Sequence, residues 1–293
     1  MILAIASGKG GTGKTTVAVN LARAVSCLPA KGSHTAVHFV DCDVEEPNAG
    51  LFLHPEIVQQ REVGVLVPDI DLRRCTYCGR CAEVCQYNAI AVVQQKVLFF
   101  PELCHGCGSC TLNCPEGAIA ERLRVTGVIE RGTAEGALSF AQGTLNVGEA
   151  MAGPVIRQLK QWAIPRRTRR ALVILDAPPG TACPVVEALS GCDMALMVTE
   201  PTPFGLHDLR LAVQVARDEL GLPVAVVINR DGVGDSGVED YCTSEGIPVL
   251  LRIPMDRRIA EAYSDGKLVV DAIPEYRTRF QELYQRIKQG AAS

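Results

Sequence analysis

No apolar run in this 293-residue sequence approaches the roughly 20 residues needed to cross a bilayer, so a membrane-spanning helix is not expected. Acidic residues exceed basic ones only slightly, 33 to 29. The formal net charge of −4 gives no reason for bulk attraction to nucleic acid or to anionic lipid. Aromatic residues make up only 5% of the chain, so a core within the 47% hydrophobic content must be built from Val, Ile, Leu and Ala. No basic segment precedes the first apolar run, and that run leads straight into a glycine-rich loop that signal cleavage would destroy. Export is therefore not expected, and a cytoplasmic location is. Cysteine, by contrast, is plentiful at 13 residues. In a reducing compartment that number points to metal binding rather than to disulfides. The length accommodates one large α/β domain and a small second one.

The first apolar run, Ile2 to Ala6, is followed by Gly8-Lys9-Gly10-Gly11-Thr12-Gly13-Lys14-Thr15 and then by helical spacing from Thr16 to Val25. Strand, glycine loop and helix start are the context that a phosphate loop needs. Glycines turn backbone N–H groups inward, the helix N-terminus adds positive dipole, and Lys14 reaches the β- and γ-phosphates. The Thr15 hydroxyl is the group that such a loop offers to Mg²⁺, and Thr16 continues the nucleotide-facing turn. ATP or ADP with Mg²⁺ is the expected ligand. The second lysine, Lys9, makes the loop resemble the deviant Walker A box of the MinD, ParA, Mrp and nitrogenase iron protein group. That resemblance implies an ATP-dependent dimer, homomeric or with a related ATPase, in which Lys9 reaches the partner's nucleotide and neutralises transition-state charge.

The same resemblance organises the other acidic strand ends. Ala36 to Val40 reads as a buried parallel strand ending in Asp41-Cys42-Asp43. Carboxylates at the C-terminal ends of parallel strands sit where open α/β sheets bind ligands. By likeness to the family, Asp43 orients the attacking water and Asp41 lies nearer the Mg²⁺ shell. Ala171 to Leu175 is a further buried strand, closed by Asp176-Ala177-Pro178-Pro179-Gly180. Asp176 fits a Walker B role toward Mg²⁺, and the Gly180 N–H fits a switch II contact to the γ-phosphate. Asn229, closing the strand Val224 to Asn229, stands where the family recognises adenine, and its amide can both donate and accept.

Between these motifs the α/β rhythm breaks. Cys75-x2-Cys78-x2-Cys81-x3-Cys85 is repeated 29 positions later (75 to 104, 85 to 114) as Cys104-x2-Cys107-x2-Cys110-x3-Cys114-Pro115. The repeat resembles bacterial two-cluster ferredoxins, in which the fourth cysteine of each run ligates the other cluster. That likeness implies one 4Fe–4S cluster on Cys75, Cys78, Cys81 and Cys114, and a second on Cys104, Cys107, Cys110 and Cys85. Gln86 stands where the family pattern has proline after Cys85, which leaves that turn open. Zinc is the competing metal, since Cys₄ sites also use two-residue gaps. The x3 spacing and the repeat favour iron–sulfur.

The expected organisation is thus a mostly parallel P-loop sheet flanked by helices, over 1–61 and 125–293, with a small α+β ferredoxin-like insertion over 62–124. Gly132 to Gly148 reads as a hairpin or loop, and Arg166, Arg167, Arg169 and Arg170 as a solvated basic cluster. Cys183, seven residues past Asp176, invites comparison with a cluster ligand of nitrogenase iron protein, but packing in the interior is the reading favoured for it. Phe280, Leu283, Tyr284 and Ile287 share one helical face. Its polar side lacks the basic bias of a membrane-binding helix, so packing against the domain is expected. The functional expectation is an ATP-driven switch that passes electrons to a protein partner. The alternatives are a carrier delivering an Fe–S or metal cluster, and a ParA- or MinD-like positioning ATPase with structural clusters.

Overall fold

The computed structural model describes residues 1–28, 36–165 and 171–290. The basic cluster at 166–170 lies outside them. The strands are β1 (Ile2–Ala6), β2 (Ala36–Asp41), β3 (Glu56–Ile70), β4 (Ile90–Val93), β5 (Lys96–Phe99), β6 (Ile119–Ala134), β7 (Leu138–Leu145), β8 (Ala171–Asp176), β9 (Met194–Thr199), β10 (Val224–Asp231) and β11 (Val249–Pro254). The helices are α1 (Lys14–Ser26), α2 (Gly50–Leu53), α3 (Arg80–Glu83), α4 (Ser109–Leu112), α5 (Gly153–Ala163), α6 (Cys183–Leu189), α7 (Pro203–Val213), α8 (Gly237–Ser244), α9 (Arg257–Ser264), α10 (Val269–Ala272) and α11 (Pro274–Gly290).

Nine strands form one sheet in the order β11-β10-β9-β1-β8-β2-β7-β6-β3. Every pairing from β11 through β7 is parallel, as strand–helix–strand units require. β1 sits beside β8, with Ile5 level with Asp176, and β2 flanks β8 on the other side, with Asp41 level with Asp176. The strands that carry the phosphate loop and the two buried aspartates are therefore neighbours, and their C-terminal ends share one edge. Both faces are covered, so the central strands are apolar without alternation; β9 is buried at all six positions. One face packs on α1 and α11, the other on α5 to α8. Phe280, Leu283, Tyr284 and Ile287 are all buried in the first of these layers, against residues of α1, as the apolar face of α11 requires.

The remaining pairings are antiparallel. β6 folds back on β7 through the turn at 135–137, where Gly136 and Ala137 both have positive φ, so the Gly132 to Gly148 segment is a hairpin. β3 pairs with β6 from Glu56↔Thr133 to Ile70↔Ile119. Each strand runs unbroken through the positions proposed as boundaries, 62 and 124. The base of the pair belongs to the sheet, and its far end carries residues 71–118 with the β4–β5 hairpin and the short helices α3 and α4. Periodicity alone did not show that join, because β3 pairs with β6 on both sides of it, across the register shift at Val63 and Gly64.

Candidate functional site

Gly13 caps α1 with φ +90°, in the left-handed region open to glycine, and the first turn of α1 then presents Lys14, Thr15 and Thr16 to a cleft of about 680 Å³. A Cβ on Gly13 would stand 2.3 Å from Asn229 Nδ2, so the loop and the end of β10 leave no room for another residue. The cleft runs from the phosphate loop past Asp43 and Asn229 to Pro254, Met255 and Tyr263. Its size suits a nucleotide.

Lys14 is buried, and its Nζ donates to Asp176 Oδ1 at 2.8 Å, with Asp43 Oδ2 3.6 Å away. Burial alone would lower the Lys14 pKa, but Asp176, Asp43 and Asp41 outweigh it and raise the value. Asp41 is fully buried at the end of β2. One of its oxygens accepts from Asp43 N and the other from Ala49 N, each at 3.1 Å. Burial first, and then Asp176, push the Asp41 pKa up; burial also raises Asp43. Asp176 is fully buried as well, and its Oδ2 has no hydrogen-bond partner. An orphaned carboxylate oxygen beside a buried ammonium and the Thr15 turn is a donor set that fits a hydrated Mg²⁺. Asp41 accepts one backbone N–H at each oxygen, which shapes the loop after β2 and leaves a lone pair on each oxygen.

The other expected residues fall in the same place. Asn229 Nδ2 donates to Thr12 O at 2.8 Å, which ties the loop to β10. The Gly180 N–H donates to Ser7 O at 3.0 Å, so contact with a γ-phosphate requires that bond to open. Gly8 is required for a different reason than phosphate contact, since its Cβ would overlap Asp208 O of α7 at 2.1 Å. Lys9 is about one-third exposed and lies 3.7 Å from Glu200 Oε2, and Glu200 also pairs with Arg230. Sequence reasoning missed Glu200 and Arg230. The signal was present, for Glu200 closes the parallel strand β9 just as Asp41 and Asp176 close theirs. Cys183 corrects an expectation: it is exposed at the start of α6, because α6 turns Val185, Ala188 and Leu189 inward.

The eight cysteines of the repeat gather into two groups. Cys75, Cys78, Cys81 and Cys114 line one small cavity, and Cys85, Cys104, Cys107 and Cys110 line another. Cys78 and Cys107 are exposed and the rest half-buried. The repeat is also a repeat of backbone. Tyr77 and Gly106 (φ 58° and 64°), Gly79 and Gly108 (80° and 72°), and Asn88 and Gly117 (52° and 53°) are pairs 29 apart in the left-handed region. Ala89 N donates to Cys85 Sγ and Ala118 N to Cys114 Sγ, both at 3.3 Å. Gln86 therefore leaves the turn after Cys85 the same as the one before Pro115. Backbone N–H groups aimed at thiol sulfurs are the donors that thiolate-bound clusters use. Among the described residues no three His, Cys, Asp or Glu side chains converge tightly enough to hold a single metal ion. A cuboidal cluster spreads its thiolates over four irons, and each group supplies four cysteines to one cavity.

The family profile described as the CobQ/CobB/MinD/ParA nucleotide-binding domain matches residues 3–269. The chain belongs to that family. It is a P-loop ATPase of the MinD/ParA type. It is 33% identical over 268 residues to an uncharacterised protein of Methanocaldococcus jannaschii, covering 91% of this chain and 90% of that one. It is 24% identical to the iron-sulfur cluster carrier protein of Aquifex aeolicus, over 94% of this chain and 63% of the carrier. Among solved structures, the MinD septum site-determining protein of Pyrococcus horikoshii with Mg-ADP superposes with a TM-score of 0.58 at 19% identity, over 98% and 95% of the two chains. This last likeness concerns the fold.

Proposed function

We propose that this ATPase is a dimeric switch carrying two 4Fe–4S clusters, in which Mg²⁺-ATP binding and hydrolysis gate electron transfer to a protein partner. The observation that carries the reading is that a short stretch of chain, α2 and the two residues after it, joins the Asp41 loop to the strand that carries the cysteine rings. Asp41 fixes Ala49 at the start of α2. β3 then starts at Glu56, paired with Thr133, and runs 15 residues toward the first cysteine turn, about 50 Å at about 3.3 Å per residue, with its first half in the sheet. A change at the phosphate site that re-seats Asp43 and Ala49 moves the root of this stalk.

In the chemistry of the site, Lys14 holds the transferring phosphoryl group and Thr15 offers its hydroxyl to the metal. Asp176, through its free oxygen, would hold Mg²⁺ or a water bound to it, and Asp43 would orient the attacking water. Mg²⁺, when bound, neutralises charge between the β- and γ-phosphates. Lys9, near the surface and held by Glu200, is the group available to a second subunit. The clusters supply one-electron storage near the surface, with Cys78 and Cys107 on the exposed side. The domain limits 62–124 describe the cluster-bearing insertion together with the outer half of its stalk.

A cluster-carrier role is the second reading, favoured by the similarity to the Aquifex aeolicus carrier. The two differ in how tightly the clusters are held. Protein reconstituted anaerobically should contain about eight irons per chain, on two clusters of four. Incubation with an apo-ferredoxin should transfer none of them, and the clusters should be reversibly reduced. Rapid transfer would decide for the carrier. Iron near zero in protein that still hydrolyses ATP would contradict both.

A further inference from the structure

We infer that the two cysteine rings are electrically unequal, and that Glu121 makes the Cys85, Cys104, Cys107, Cys110 site the harder of the two to reduce. The inference rests on the cluster reading above. The repeat reproduces the backbone of the two sites closely, but not the side chains that face them. Five pairs of positions 29 apart that line the two cavities differ in side chain: Val92 and Glu121, Arg80 and Ser109, Thr76 and His105, Tyr77 and Gly106, Glu116 and Tyr87.

At the Cys75, Cys78, Cys81, Cys114 site, Thr76 and Glu116 are a polar pair 3.5 Å apart, and Arg80 adds a cation that Glu83 partly offsets at 3.1 Å. Arg74, whose Nη2 donates to Glu116 O at 2.9 Å, stands beside Glu116, so two cations face two carboxylates and the charge there nearly cancels. At the other site Tyr87 and His105 stack, with ring centroids 3.8 Å apart and planes 11° apart, so the equivalent positions carry an aromatic cover. Glu121 stands alone. A Cβ built on Gly108 would lie 3.1 Å from Glu121 Oε1, so this carboxylate rests against the turn between Cys107 and Cys110. Arg124 also faces Cys104, but both Glu149 oxygens accept from it, at 3.0 and 2.8 Å. Among the described residues Glu121 has no ion pair to offset its charge. Its counterpart at the other ring, Val92, is apolar.

Adding an electron makes a cluster one unit more negative, and a fixed carboxylate beside it opposes that change. One electron from an external one-electron reductant therefore settles at the Cys75, Cys78, Cys81, Cys114 site, and a second enters the other. Glu121 is exposed, so solvent weakens its effect. A five- to tenfold bias in the reduction equilibrium is expected, about 40 to 60 mV at 59 mV per decade for one electron.

The test is a mediated redox titration followed by EPR on the full chain, reconstituted anaerobically. The wild type should show two separable one-electron couples. Glu121→Gln should raise the lower couple by that amount and leave the upper one in place. Val92→Glu, which places a carboxylate at the matching position of the other ring, should lower the upper couple. Iron content near eight per chain in each variant shows that the rings are loaded. Coincident couples in the wild type, or a lower couple unmoved by Glu121→Gln, would overturn the inference alone. An upper couple unmoved by Val92→Glu would do the same. A wild type that binds no iron–sulfur cluster would overturn the cluster reading, and this inference with it.

Discussion

Asp176→Asn tests the phosphate site most sharply, because it removes one charge and little volume. Lys14 is left as a buried ammonium whose 2.8 Å partner has become a neutral amide. Breaking a buried pair by neutralising one member costs about 3–5 kcal/mol. Asp43, 3.6 Å away, remains to share the charge, so the lower end, about 3 kcal/mol, is expected for the nucleotide-free protein. For a chain of this size each kcal/mol is worth about 2–4 °C, so the melting temperature should fall by about 6–12 °C. Lys14→Met combined with Asp176→Asn removes both charges, and the double variant should regain most of the loss. The coupling energy of the cycle should be about 2–3 kcal/mol. Hydrolysis in Asp176→Asn should fall about 10²- to 10³-fold, since the carboxylate proposed to hold the metal loses its charge. Calorimetry on the four proteins and a phosphate-release assay supply the numbers. A melting temperature within about 1 °C of wild type, or a coupling energy below about 0.5 kcal/mol, would show that Lys14 does not depend on Asp176.

Gly13→Ala should weaken nucleotide binding at least tenfold in a titration calorimeter, because its Cβ meets Asn229 Nδ2 at 2.3 Å and its φ of +90° strains any side chain. Unchanged affinity would mean that the loop is not set by β10. Phe280→Ala should cost about 3–5 kcal/mol by denaturant unfolding, since its ring is 2% exposed under α1. A loss below about 1 kcal/mol would take α11 out of the core. Burial holds the pKa of His38 below its usual 6.5. The unfolded chain therefore takes up the proton first. This contribution is present above pH 6.5 and is lost as the pH falls through the lower folded value. His38→Gln should flatten the wild-type decline in that window, and equal slopes in urea melts at pH 5 and 7 would contradict it.

Much of the site was legible because its chemistry is local. The phosphate loop, Asp41, Asp176 and Asn229 each lie at the end of an apolar run, and the parallel sheet brings such ends to one edge. The cysteine repeat was legible for the same reason, as spacing and offset are properties of a short segment. Relations between distant segments were not. Nothing near Lys9 announces Glu200, which meets it only because β9 lies beside β1. Gly8 was read from the loop pattern, and its further constraint, α7 passing over it, is one that no periodicity encodes. Cys183 was read as interior because cysteines usually are. α6 has only seven residues and one inward face, and Cys183 lies off it. Where the sheet ends and the stalk begins was equally hidden, since β3 and β6 pair over their whole length and pairing between segments so far apart leaves no local mark.

The central claim is that the nucleotide site and the cysteine rings are coupled. It is tested most directly by EPR-monitored reduction of the reconstituted protein without nucleotide, with Mg²⁺-ADP and with a non-hydrolysable ATP analogue. A cluster signal or potential that shifts with the analogue, and does not shift in Lys14→Met, is the predicted result. Identical spectra and potentials in all three states, with both clusters present, would contradict it.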